Sequence, residues 1–336
     1  MSHPHFDIGQ HLAIGFGGRE LNESNLRQLD AVRPGGIVLF ARNIAPRDEL
    51  RALCAGLHAR WKHRPIIALD QEGGHVNRLR EIVGETPLIA EWKRRGSVDQ
   101  VREFGLETAR TLLDLGIDLN LAPVFDLDLS DAKTENALRD RCWGRTADEV
   151  VEWAGAYLRG LQEGGVAGCP KHFPGLGAAR LDSHEELPVI DRAAERLLAE
   201  DVRPYSELLK EISAVMVGHA CYPAWNDGRK DRPATLSPSI VTGLLRNQMG
   251  YSGLVLTDDM EMGAIARCGS FAQAVVGAFL AGADLILVCH RPEMILAAHE
   301  ALARAVEKGE IAAARLAESR ERIARFWEEW GRTAAG

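Results

Sequence analysis

Ionisable residues recur just after short apolar runs in this 336-residue sequence. Asp70-Gln71-Glu72-Gly73-Gly74-His75-Val76-Asn77-Arg78 follows one run and Lys171-His172-Phe173-Pro174-Gly175 another; Gly218-His219, Asp258-Asp259 and His290 follow three more. Carboxylates can act as nucleophiles, histidines can give and take protons near neutrality, and lysines and arginines can donate to oxygen-rich ligands. Each residue alone also has an ordinary use: Asp258 can cap a following helix, His219 can be a satisfied buried histidine, and Arg78 a surface charge. Their shared position carries more weight. In barrels of alternating strands and helices the active site forms where the strands end.

The elements that must position these groups are short apolar runs at residues 12–16, 36–40, 65–69, 117–121, 166–169, 214–217, 253–256 and 284–288, each of a length and composition suited to a buried parallel strand. Between them lie segments with helical spacing, including 47–61, 98–115, 147–162, 239–248 and 293–308. A doubly wound open sheet fits the alternation as well, but no GxGxxG follows an early strand, and eight is the closure number of the common barrel. The pattern predicts an α/β chain folded as a (β/α)8 TIM-type barrel. No Pro/Gly/Ser-rich linker, charge block or internal repeat divides it, so residues 1–336 read as a single barrel domain, with 311–330 as an amphipathic helix packed on its body.

Composition narrows the function. With 46% hydrophobic and 26% charged residues the chain can bury a large core, and its net charge of −8 is spread without a basic stripe, which argues against nucleic acid and anionic membrane as partners. The start has no cationic segment leading into an apolar core, and no apolar run reaches the roughly 18 residues of a membrane span, so a cytoplasmic protein is expected. Six dispersed cysteines form no CxxC pair, and neither zinc nor a disulfide framework is implied. No HExxH, paired-carboxylate loop or dinucleotide fingerprint appears, so neither metal nor organic cofactor is expected.

The blocks LDQEGGHVNRLR, LNLAPVFDLD, DRCWG, KHFPG with the later DSHEELPVI, and LVLTDDMEMGAI occur in this order. Together they resemble glycoside hydrolase family three, in particular its single-domain β-N-acetylhexosaminidases, over most of the chain. The resemblance implies removal of terminal β-linked N-acetylhexosamine by double displacement, with Asp258 as nucleophile and His184, supported by Asp182, as acid/base. Adjacent residues at a strand end cannot be told apart by alternation, so only the resemblance prefers Asp258 to Asp259. It also implies Asp70, Arg78, Arg141, Lys171 and His172 as substrate-binding residues, a small-molecule glycoside as the partner of a monomer, and a muropeptide-derived substrate from cell-wall recycling. The chemistry is consistent. A retaining glycosidase needs an ionised carboxylate on one side of the sugar and a proton donor on the other, and a histidine beside a carboxylate can serve as that donor.

The sequence departs from the family pattern where KHFPGHGDT is usual: Leu176, Ala178 and Ala179 stand in place of polar residues, His75 replaces an arginine and Cys142 a serine. Loss of polar contacts predicts a mobile or open segment at 175–181 without ligand. Asp182-Ser183-His184 can also be read as an exposed turn. Three other functions stay open: a Schiff-base aldolase using Lys171, a β-N-acetylglucosaminide phosphorylase, and a non-catalytic sugar-binding relative.

Overall fold

The computed structural model describes residues 8–129, 138–179 and 187–331. Eight parallel strands occupy the eight apolar runs: β1 Leu12–Ile14, β2 Gly36–Leu39, β3 Ile66–Leu69, β4 Leu119–Asn120, β5 Ala167–Gly168, β6 Ala214–Val217, β7 Leu254–Thr257 and β8 Ile286–Val288. Six of them form one sheet in the order β8-β1-β2-β3-β4-β5, and β6 pairs with β7 in a second. Single parallel bridges join the two, Phe173 with Val217 on one side and Leu256 with Leu285 on the other. The fold is therefore α/β with parallel strands in chain order. Six of the eight strands are shorter than their apolar runs, β4 and β5 having two residues each.

Side-chain alternation along these strands sorts the core into two clusters. Ala13, Val38, Ile66, Ala68, Leu119, Ala167, Ala214, Met216, Leu254, Leu256 and Leu287 point into an inner cluster fed by all eight strands. Their neighbours, such as Ile14, Ile37, Leu39, Ile67, Val215, Val255 and Ile286, point outward into the larger cluster under the helices. At one end the inner cluster receives Phe326, from the helix Ala313–Trp330, with Ile323, Trp327 and Trp330 packed around it. The same helix sends Arg322 to the fully buried Asp284, whose carboxylate also takes Arg246 at 2.6 Å and the Val255 N–H at 3.0 Å.

Helices form where the spacing predicts them. Val98–Leu115 starts on a capping box of Ser97 and Gln100 and stops at Gly116, whose φ of 78° suits a residue without a Cβ. Ser239–Gln248 keeps its predicted bounds as a π-helix. One element was not legible: Gln71–Gly73 and Val76–Asn77 form an antiparallel hairpin, turned at Gly73 and Gly74 with φ of 93° and 57°. Two or three residues a side are too few to show a strand period. Among the described residues no helix is long and apolar enough to cross a membrane. All six cysteines are free, and five are buried.

Candidate active site

The strand ends open into a cavity of about 250 Å³. Its floor is the top of the inner cluster, with Val38, Leu121, Met216, Leu287 and Cys289; its walls are the ionisable residues that follow the strands. Asp70, Arg78, Arg141, Lys171, His172 and Asp258 all line it. Six of the eight candidate site residues are thus brought together. The other two, Asp182 and His184, lie outside the described residues.

Lys171 sits at the centre of the charge arrangement. Its ammonium is 2.6 Å from both Asp70 Oδ1 and Glu72 Oε1, with the side chain only 2% exposed. Arg141 grips the same Glu72 through two parallel hydrogen bonds, at 2.8 and 2.7 Å. Burial alone would raise the pKa of Glu72, but the Arg141 and Lys171 charges overcome it and hold the carboxylate far below its usual range. Burial would likewise lower Lys171, yet Asp70 and Glu72 raise it. Held between two carboxylates, the ammonium speaks against the aldolase reading, because a Schiff-base lysine needs a neutral amine at working pH. Arg78 differs: it lines the cavity, and its buried Nε has no hydrogen-bond partner.

His172 is held from behind. Its Nδ1 lies 2.7 Å from Oδ2 of Asp126, a fully buried carboxylate that also accepts from the His172 and Leu176 backbone N–H groups. An ionised carboxylate can only accept, so the Nδ1 proton lies between the two and Nε2 is left for the cavity side. Gly218 makes room for the ring, since a Cβ there would come within 2.8 Å of the His172 Cβ.

Asp258 closes the wall at the end of β7. Its backbone N–H donates to Val217 in β6 at 3.0 Å, and its Oδ1 accepts the Asp259 N–H at 2.8 Å. Burial alone would raise its pKa; the charge of His172, with His219, the Asp259 N–H and Lys171, draws it below the ordinary value. The group is an ionised carboxylate facing open space. Buried His219 has a lowered pKa, and it bridges Thr235 at 2.7 Å and the Asp259 carbonyl at 3.0 Å.

The expectation of a loosely held segment after KHFPG is corrected for the part that is described. Residues 175–179 are largely buried. Gly175 accepts from the Tyr222 hydroxyl at 2.6 Å, the Leu176 N–H donates to Asp126 at 2.5 Å, and the Leu176 side chain joins the outer core at 5% exposure. The backbone and an apolar side chain do the fastening that polar side chains were expected to do. Gly175 also packs on Asp201, a buried carboxylate paired with Arg192. Burial raises Asp201 to about 7 against the pull of Arg192.

Reading the sequence missed Glu72 and Asp126 as members of the site. Both were visible as charges within or next to apolar runs, in ALDQEGG and LAPVFDL, a position where an acid must find a partner. Among the described residues no cluster of three or more His, Cys, Asp or Glu side chains is arranged to hold a metal ion.

The sequence profile of the glycosyl hydrolase family 3 N-terminal domain matches residues 7–326. A β-hexosaminidase of Bordetella avium is 35% identical over 290 residues, covering 84% of this chain and 81% of its own length. One from Idiomarina loihiensis is 31% identical over 83% of both chains. Among solved structures, a glycoside hydrolase family 3 β-N-acetylglucosaminidase from Paenibacillus sp. str. FPU-7 superposes with a TM-score of 0.92 at 34% identity. That match covers the whole of this chain and 64% of the Paenibacillus chain. NagZ from Neisseria gonorrhoeae gives a TM-score of 0.77 at 28% identity, over 96% of this chain and 99% of its own.

Proposed function

The chain belongs to glycosyl hydrolase family 3, and from that premise we propose that this glycoside hydrolase removes terminal β-linked N-acetylglucosamine with retention of configuration. Asp258 attacks the anomeric carbon while His184, paired with Asp182, protonates the departing glycosidic oxygen. Water deprotonated by His184 then attacks the glycosyl-Asp258 ester, and the sugar leaves as the β-anomer. Asp70, Arg78, Arg141, Lys171 and His172 bind the sugar hydroxyls. A site this polar discriminates strongly, because a missing hydroxyl leaves buried groups unpaired. The two sheets, joined by their bridges, act as one closed (β/α)8 barrel and one domain. The substrate is a muropeptide fragment bearing terminal N-acetylglucosamine, cleaved by a cytoplasmic monomer.

One observation carries this reading: Asp258 is a cavity-facing carboxylate kept ionised by its neighbours at the end of β7, the state and place a nucleophile requires. The test is turnover of a chromogenic aryl β-N-acetylglucosaminide, with and without phosphate, by wild type and Asp258→Asn. Wild-type hydrolysis that is independent of phosphate and is lost by about four orders of magnitude or more in the variant is expected. Proton NMR in the first minutes should show the β-anomer. Initial α-anomer, or an active Asp258→Asn, would overturn the mechanism.

A further inference from the structure

Two carboxylates stand side by side after β7, and the structure treats them differently. Asp259 is engaged on several sides. Its Oδ1 accepts the Glu261 N–H at 3.1 Å and its carbonyl faces His219 Nε2; its Oδ2, buried and without a hydrogen-bond partner, has His290 Nε2 3.0 Å away as its ion-pair neighbour. His290, at the end of β8, is itself fixed. Its backbone N–H donates to Glu261 at 2.7 Å, its ring lies 5.0 Å from that of Phe40, and its Nδ1 is 3.3 Å from Arg42 Nη1. Arg42 is anchored in turn by the carbonyls of Phe16 at 2.9 Å and Cys289 at 2.5 Å, with its guanidinium over the Phe40 ring.

A guanidinium can only donate. Contact with Arg42 therefore requires His290 Nδ1 as an acceptor and places the imidazole proton on Nε2, toward Asp259. Arg42, His290 and Asp259 form a row running from cation to anion that joins the ends of β2, β8 and β7. We propose that His290 is a positioning residue that holds the Asp259 carboxylate aside and so leaves Asp258 as the nucleophile. This rests on the reading of Asp258 as nucleophile. The charged groups facing the imidazole are Arg42, Asp259 and Glu261, the last occupied by Arg291 at 2.7 Å. Without His290 the Asp259 carboxylate loses the N–H dipole that faces it, and its less screened field next to Asp258 disfavours ionisation of the nucleophile.

The experiment is a double-mutant cycle of His290→Ala and Asp259→Asn in the full chain, read by the pH profile of kcat/KM on an aryl β-N-acetylglucosaminide. His290→Ala should lower kcat about tenfold with little change in KM and move the acid limb to higher pH. His290→Gln, which can still donate to Asp259, should recover part of the loss. Asp259→Asn should remain active, and His290→Ala should add nothing to it. Additive losses, an unmoved acid limb or an inactive Asp259→Asn would overturn the role of His290. The premise is checked separately by trapping wild type with a 5-fluoro N-acetylglucosaminyl fluoride and locating the labelled residue by peptide mass. A label on Asp259 overturns the nucleophile reading itself; a label on Asp258 with an additive cycle overturns only the role of His290.

Discussion

Replacing Glu72 by Gln removes one charge and almost no volume from the most buried part of the site, where two cations depend on it. Its oxygens lie 2.7 Å from Arg141 and 2.6 Å from Lys171. At an effective dielectric constant of about 20, each contact is worth roughly 6 kcal/mol before desolvation is counted. Desolvation cancels much of this, and breaking a buried pair by removing one partner costs about 3–5 kcal/mol. Unfolding entropy of about 2.1 cal/mol/K per residue gives about 0.7 kcal/mol/K for 336 residues, so Tm should fall by about 4–7 °C. Scanning calorimetry at pH 7 measures this. The pH dependence supplies a second check. Glu72 has a depressed folded-state pKa, so its contribution is present above the unfolded value of about 4.3 and is lost as pH falls below it. The gap between wild type and variant should therefore be full at pH 7 and shrink in acid. A Tm change under about 1 °C at pH 7, or a gap that grows in acid, would refute the argument that Glu72 is ionised and holds both cations.

Other expected outcomes probe the surrounding groups. Asp126→Asn should leave the protein folded but lower kcat/KM by about 10–100-fold, because an amide can turn its NH2 toward His172 Nδ1 and reverse the ring's tautomer; steady-state kinetics with circular dichroism separates this from unfolding. Asp284→Ala should destabilise the fold by about 3–5 kcal/mol in urea denaturation while the folded fraction keeps its kcat, since it leaves Arg246 and Arg322 without their carboxylate far from the cavity. Asp201 has a raised folded-state pKa of about 7, so its stabilising contribution is complete below its unfolded value and is lost as pH rises through about 7. Asp201→Asn should accordingly show a flatter stability profile between pH 4 and 8 than wild type, as read from urea midpoints.

The fold was legible because its strands obey a simple rule. Residues such as Ile37, Val38 and Leu39 are all apolar, and in the structure they face alternately outward, inward and outward, so the run is apolar because both faces are buried. Run length was less informative than run position: of residues 117–121 all but Asp118 are buried, yet only Leu119 and Asn120 lie in the ladder. The site was legible where a charge follows such a run. It was not legible where the partner is remote, as with Glu72 and Arg141, 69 residues apart, or Asp126 and His172, 46 apart. Leu176 illustrates the opposite error. Its apolar side chain in a polar family position suggested a weakened fastening, but burial in the core supplies one that a side-chain inventory does not show.

The pairing of β1 with β8 sets a timetable for the growing chain. Leu12, Ala13 and Ile14 find Ile286, Leu287 and Val288 more than 270 residues later, and the inner cluster also needs Phe326. During synthesis at about 5–20 residues per second, β1 therefore emerges well over ten seconds before its outer neighbour exists, with one apolar edge unpaired. An intermediate ending before β8 presents that edge to any other chain. The strand β2, which follows within two dozen residues, covers the other edge of β1 and leaves this one open until β8 arrives.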